Sequence, residues 1–88
     1  MRVVRAPAAS WQRVDGETVV LQAEAGELVG LNGVGGRAWE LLDGELTVEE
    51  VAARLAAEFG ADPERVLADV RAFVEELLAA RLLERAPG

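Results

Sequence analysis

The strongest constraint on the fold is a change in residue pattern near Asn32. Before this position, β-branched residues alternate with polar ones and glycines interrupt the runs, which is typical of strands joined by turns. After it, Ala, Leu, Glu and Arg recur at helical spacing. A chain of 88 residues accommodates one domain. We therefore predict an α+β fold with a three-stranded antiparallel sheet followed by three helices, winged helix-turn-helix-like.

Turn signals divide the first part of the chain into strands. Asp15-Gly16 predicts a two-residue hairpin, because both of its positions favour positive φ. Residues 24–27 supply the next turn. The predicted strands are Trp11–Val14, Glu17–Ala23 and Leu28–Leu31.

Capping signals place the helices. Asn32 is suited to cap the first helix, Thr47 and Glu50 form a capping box for the second, and Asp62-Pro63 begins the third. The predicted helices run over 33–42, from Val48 to about 58, and from Pro63 to about 80. Residues 82–84 form either a short extended end or a fraying turn.

Apolar spacing assigns the inward faces of the helices. The first helix is expected to bury Val34, Ala38, Leu41 and Leu42, and the second to bury Val48, Val51, Ala52, Leu55 and Phe59. Trp39, on the flank of the first helix, is expected in the core or at its rim, with an exposed binding role as the alternative. The third carries a stripe wider than one core contact requires: Val66, Leu67, Val70, Phe73, Val74, Leu77 and Leu78.

The domain is predicted to span residues 11–85. Residues 1–10 are expected to form a flexible N-terminal segment and residues 86–88 a tail. The N-terminus lacks an apolar stretch of signal-peptide length, and no apolar run approaches the ~20 residues that span a bilayer. We therefore expect a cytoplasmic protein.

Charge argues against nucleic acid and membrane partners. The net charge is −7, and the nine basic residues are all arginines. The third helix, which would be the recognition helix of a DNA-binding winged helix, itself carries more acids than bases. The net negative charge of this helix would repel a phosphate backbone or an anionic membrane surface.

The residue types for catalysis are scarce. The chain has no His and no Cys, and its only hydroxyls are Ser10, Thr18 and Thr47. We predict no catalytic residue, no metal site and no cofactor. The glycine-rich turn at 33–36 admits a phosphate loop, but it lacks the Lys and Ser/Thr of that motif. The alternative is close approach of the first helix to the sheet, where a Cβ would clash.

The edge of the sheet remains as a site. An edge strand carries unpaired N–H and C=O groups that accept another strand. If the third helix lies beside the third strand, the two form a groove. If that helix covers the strand, no groove exists. A proline at Val29 would remove an edge donor if that amide points outward.

Several stretches resemble the PqqD-like family. They are Leu31 to Gly44, Thr47 to Val51, and Asp62-Pro63-Glu64 followed by Asp69-Val70 and Phe73. The similarity covers about residues 11–83. The individual motifs are caps and apolar spacings, and their order and spacing together give the specificity.

The resemblance implies a precursor-peptide recognition element with no catalytic activity. Family members bind the leader segment of a ribosomally made precursor as an added strand on the third strand, in the groove against the third helix. On this chain the implied site consists of Leu28, Val29, Gly30, Leu31, Val66, Asp69, Val70 and Phe73. Arg65 and Arg71 are expected either to pair with leader acids or to pair with Asp69 and Glu75 at spacing four.

The implied partners are a leader peptide and a separate processing enzyme. The first choice is the leader peptidase of a lasso peptide pathway, since the chain is discrete and short. The alternative within the family is a chaperone that presents its precursor to a radical-SAM enzyme. From another class, an acidic winged-helix regulator that contacts protein remains open, while a small hydrolase subunit is disfavoured by the missing His and Cys.

Overall fold

The computed structural model describes residues 1–31 and 33–86. It confirms the α+β architecture. The elements are β1 (Val3–Arg5), β2 (Ala9–Val14), β3 (Glu17–Gln22), β4 (Glu27–Leu31), α1 (Gly33–Leu41), α2 (Val48–Phe59), α3 (Pro63–Ala79) and β5 (Leu83–Arg85). The predicted cap at Asn32 lies outside the described residues.

The predicted three-stranded sheet is present, with the antiparallel order β2-β3-β4. The hairpin between β2 and β3 turns at Asp15 and Gly16, whose φ values are 49° and 82°. These left-handed values suit a two-residue turn that matches the twist of the flanking strands. The sequence signal at this turn therefore led to the right pairing of β2 with β3.

The N-terminal segment is ordered, contrary to the flexible segment expected over residues 1–10. β1 pairs antiparallel with β5 in a second, two-stranded sheet, and the Val3 side chain is 0% exposed. The packed unit therefore begins at Val3 and not at residue 11. The extended alternative for the C-terminal end is the correct one. Of the predicted tail, residues 87–88 lie outside the described part of the chain.

The predicted caps of α2 and α3 are confirmed. The Glu50 amide donates to Thr47 Oγ1 at 3.0 Å, and the Thr47 amide donates to Glu50 Oε1 at 2.9 Å. This second bond is the main reason that the pKa of the Glu50 carboxyl lies below its ordinary value. At the start of α3, the Asp62 side chain accepts from the Glu64 amide and Pro63 occupies the first turn. Both caps satisfy amides that have no partner within the helix.

Trp39, which the sequence placed on the flank of the first helix at the core or its rim, lies within the core. Its side chain is 0% exposed, and its ring meets Trp11 edge to face with 6.4 Å between centroids. The Arg5 guanidinium lies over both rings and donates to the Trp39 carbonyl at 3.0 Å. β1 therefore supplies part of the cover for this tryptophan.

Two residues predicted to face inward are exposed instead. Val34 is 45% exposed and Phe59 is 50% exposed. Val34 lies in the first turn of α1, and Phe59 is the last residue of α2. Helical spacing continues the apolar stripe to both positions, but the packed neighbours end before them.

The glycine-rich turn serves close approach. A Cβ on Gly36 would lie 2.9 Å from Thr18 Oγ1 and 3.4 Å from the Leu31 carbonyl oxygen. α1 therefore crosses the sheet at a distance that only glycine allows at this position. Among the described helices, none combines the length and the apolar character needed to cross a membrane.

Candidate peptide-binding site

β4 forms one edge of the three-stranded sheet. Within the described residues it pairs with β3 on one side and with no strand on the other. We call this unpaired side the open edge. Leu28 is 70% exposed, and Glu27 and Gly30 are exposed as well. α3 does not seal this edge, since β4 has extensive contacts with β3 and with no other described element.

The hairpin geometry shows which backbone groups of β4 reach the open edge. A two-residue turn at Asp15-Gly16 makes Val14 and Glu17 a pair that exchanges both backbone hydrogen bonds. Bonded and non-bonded pairs then alternate, so every second residue of β3 directs its backbone toward β4. The residues that do so are 18, 20 and 22.

Their partners in β4 are Leu31, Val29 and Glu27. The N–H and C=O groups of Leu28 and Gly30 therefore point away from β3, into the open edge. Val29, in contrast, directs its amide to β3. The Val29 amide therefore does not point outward as the edge-donor prediction required, and a proline at this position would break a hydrogen bond inside the sheet.

An apolar hollow of about 270 Å³ lies between α1 and α3. We call it the α1–α3 hollow. It is lined by Val34, Gly35 and Ala38 of α1, by Ala61, and by Arg65, Val66, Asp69, Val70 and Phe73 of α3. Val70 is almost fully buried, Val66 and Phe73 are half-buried and Asp69 is exposed. All four predicted α3 residues therefore face one cavity.

The hollow and β4 meet at Gly35. A Cβ on this glycine would lie 3.9 Å from both Leu31 Cβ and Phe73 Cε1. At the other end of β4, Glu27 lines a second depression together with Ala79, the last residue of α3, and with Ala80 and Arg81, which follow it. Residues of α3 and of the turn that follows it thus lie near both ends of β4. The opposite wall of the hollow itself comes from α1 and not from β4.

Charged side chains mark the outer rim of the α1–α3 hollow. Arg65 and Asp69 both line it, and the described part of the chain shows no ion pair within 4.0 Å for either of them. Arg71 donates to Glu49 of α2 at 3.4 Å. Within the described residues it forms no ion pair with Glu75, which was one of the two alternatives for this arginine. Glu49 also accepts from its own backbone amide and from the N-terminal ammonium group, and these bonds keep the pKa of its carboxyl low. Of the two arginines, Arg65 is the one that borders the site.

Sequence reasoning missed four lining residues, Val34, Gly35, Ala38 and Ala61, and named Arg65 only as a candidate to pair with leader acids. Val34 and Ala38 were assigned to the core face of α1. A usable signal is the smallness of Gly35, Ala38 and Ala61, because three small side chains opposite an apolar helical stripe leave unfilled volume. Periodicity alone does not distinguish such a cavity from a packed core.

The fold and the site together define a class: a small winged-helix-like α+β domain with an open edge strand beside an apolar hollow. Comparison with known sequences gives the family. The profile of coenzyme PQQ synthesis protein D (PqqD) matches residues 17–83, and the chain belongs to this family. The resemblance found in the sequence is confirmed.

Individual relatives agree with this assignment. The PqqA binding protein of Rhizobium meliloti (strain 1021) is 37% identical over 71 residues, which cover 81% of this chain and 70% of that protein. The structure of TbiB1 in complex with the TbiA(β) leader peptide is 32% identical, with a TM-score of 0.86 over 97% of this chain and 99% of that chain. A lasso peptide synthetase B1 complexed with its leader peptide is 21% identical, with a TM-score of 0.86 over 96% and 99% of the two chains, and shows the same fold.

Proposed function

We propose that this chain binds the leader segment of a ribosomally made precursor peptide as a fourth strand on β4 and presents the precursor to a separate processing enzyme. The observation that carries the proposal is that the N–H and C=O groups of Leu28 and Gly30 point into the open edge, beside the α1–α3 hollow. Two relatives support it, one named for binding PqqA and one solved with a leader peptide.

The geometry gives the guest strand two different faces. A strand added antiparallel to β4 bonds with the free groups of Leu28 and Gly30. The guest residue opposite Val29 then lies on the inner face of the sheet, the face that packs against the helices. Side chains on this face reach toward α3 and the α1–α3 hollow, while their neighbours point to the outer face.

Main-chain pairing and side-chain burial have separate roles in this scheme. The backbone bonds at β4 accept many sequences, because every residue except proline offers an N–H and a C=O. The hollow is apolar and accepts a large aliphatic or aromatic side chain. Specificity for a leader therefore comes mainly from its inward-facing residues.

The chain acts through effective concentration and carries out no reaction in this proposal. Holding the leader places the rest of the precursor near the active site of the enzyme that the domain also contacts. Incubation of the chain with its precursor should leave the intact mass of the peptide unchanged. Conversion of the precursor by the chain alone would contradict a purely recognising role.

The first choice of partner enzyme is the leader peptidase of a lasso peptide pathway. The likeness to TbiB1, which was solved with a leader peptide, supports the leader-binding step that this choice requires, and that match spans nearly all of both chains. The second candidate is the presentation of a precursor to a radical-SAM enzyme, as the family resemblance implies. The likeness to the PqqA binding protein favours this alternative. Both candidates share the leader-binding step.

Binding of a fluorescein-labelled leader, followed by anisotropy, tests the proposal. The probes are the leader of the precursor encoded in the same gene neighbourhood and the TbiA(β) leader. Phe73→Ala removes the half-buried aromatic ring of the hollow and should weaken binding about tenfold, as expected for a central interface anchor.

Phe59→Ala is the matched control, since Phe59 is an exposed aromatic residue that does not line the hollow. Its affinity should equal that of the wild type, and thermal melting should show that both variants fold. Equal loss in the two variants, or no binding of either probe to the wild type, would overturn the proposal.

A further inference from the structure

The outer face of the three-stranded sheet, which points away from the helices, carries one charged side chain among the described residues. Alternation places Glu17, Val19 and Leu21 of β3 on this face, together with Leu28 and Gly30 of β4 and three uncharged residues of β2. The charged one is Glu17, which is exposed. The described part of the chain shows no ion pair for its carboxylate. This face is distinct from the α1–α3 hollow, which lies on the side of the helices.

Gly30 leaves the path from Glu17 to the open edge clear. A Cβ on Gly30 would lie 4.0 Å from Glu17 Oε2, so the carboxylate extends over the glycine. No side chain of Gly30 stands between this carboxylate and a strand added to β4. Any other residue at this position would place atoms there.

A guest residue opposite Gly30 would point to the same outer face. The backbone groups of Gly30 face the open edge, so this guest residue forms a hydrogen-bonded pair with Cα atoms about 5.5 Å apart. The four-carbon stem of a lysine, or the longer side chain of an arginine, bridges from there across the glycine to the Glu17 carboxylate.

We propose that Glu17 is a specificity residue that selects Lys or Arg at the leader position paired with Gly30. This inference rests on the proposed function and names one chemical feature of the leader. An exposed ion pair of this kind is weak, so the expected preference for Lys over Glu at that position is about two- to fivefold. Apolar inward residues still supply most of the affinity.

The test is a charge scan of the labelled leader that binds the wild-type chain. Each position of the bound strand is replaced in turn by Lys and by Glu, and each peptide is titrated with the wild type, Glu17→Gln and Glu24→Gln. Glu24 lies in the exposed turn before β4 and controls for the general attraction of an acidic protein for cations.

We expect one leader position, with its side chain on the outer face of the sheet, at which the preference for Lys is lost in Glu17→Gln and kept in Glu24→Gln. Equal Lys-to-Glu ratios for the wild type and Glu17→Gln at every position would overturn the role of Glu17. In that case leader binding itself would still stand. If no leader binds the wild-type chain, the proposed function fails and the assignment of Glu17 fails with it.

Discussion

Gly36 sits where α1 crosses the sheet, and its missing side chain sets the distance between the two layers. Gly36→Ala would force a methyl group against Thr18 Oγ1 and the Leu31 carbonyl, both of which belong to the sheet. We expect a loss of about 1–3 kcal/mol in the free energy of unfolding, as for overpacked cores. Urea denaturation followed by tryptophan fluorescence measures it.

Gly35→Ala is the matched control for this substitution. Its new methyl group would meet its nearest neighbours at 3.9 Å, an ordinary contact, and alanine is a better helix former than glycine. The free energy of unfolding should stay the same or rise slightly. Equal destabilisation by both substitutions would show that close approach at Gly36 is not the reason for its glycine.

At the level of single residues, the sequence predicted local roles such as helix capping better than it predicted side-chain burial. The capping residues Thr47 and Asp62 act locally, within a few residues, and both were placed correctly. Val34 and Phe59 were misplaced, because their exposure depends on where distant segments pack. The same limit applies to Val29, whose amide direction follows from the register of the sheet and not from the residue itself.

At the level of elements, β4 should tolerate proline at one position and not at the next. Leu28→Pro removes an amide that faces the open edge, so the fold should lose little stability while leader affinity falls at least severalfold. Leu28→Ala, which keeps the amide, separates the backbone effect from the loss of the side chain. The free energy of unfolding and the leader affinity of each variant are the two measurements.

Val29→Pro, in contrast, should destabilise the fold. It removes a hydrogen bond inside the sheet and leaves the Val20 carbonyl without its partner, which costs about 1–3 kcal/mol of stability. A stable Val29→Pro variant together with an unfolded Leu28→Pro variant would show that the alternation of bonded pairs along β4 is the reverse of the one inferred.

The capping box at the start of α2 gives a pH-dependent contribution to stability. The amide of Thr47 holds the pKa of the Glu50 carboxyl below its ordinary value. A lowered pKa in the folded state stabilises the fold above the ordinary pKa, and the contribution is lost as pH falls through the folded value. The advantage of the wild type over Glu50→Gln in melting temperature should therefore shrink as the pH falls below 4.5, the ordinary pKa of a glutamate carboxyl.

Glu75→Gln, which removes an exposed carboxylate in the C-terminal half of α3, is the control for net charge. An equal pH dependence in Glu75→Gln and Glu50→Gln would show that net charge, and not the capping box, is responsible. A constant gap between the wild type and Glu50→Gln at every pH would contradict the role assigned to this carboxylate.

At the level of the whole molecule, the two chain ends join in one sheet. β1 and β5 pair across nearly the full length of the sequence, and Val3 enters the core. Neither strand is long enough to give a periodic signal of its own, so the N-terminal segment was expected to be loose. The three-stranded sheet and the three helices were predictable, because hairpin and capping signals lie within each element.

The candidate site was predictable in part for the same reason. A short strand before the first helix indicated an edge of the sheet. The apolar stripe of α3, wider than one core contact requires, indicated a second apolar surface beside it. The resemblance to the family then joined the two. The contribution of α1 to the hollow was not predictable, since it depends on the distance between α1 and α3 in the folded chain.

Amide hydrogen exchange in β4 tests the central claim most directly. In the free protein, the amides of Val29 and Leu31 should exchange slowly, since they bond to β3, while those of Leu28 and Gly30 exchange fast. Saturation with the leader should slow exchange at Leu28 and Gly30 strongly and leave Leu21 on the neighbouring strand little changed. Unaltered exchange at Leu28 and Gly30 with the leader bound would contradict strand addition at β4.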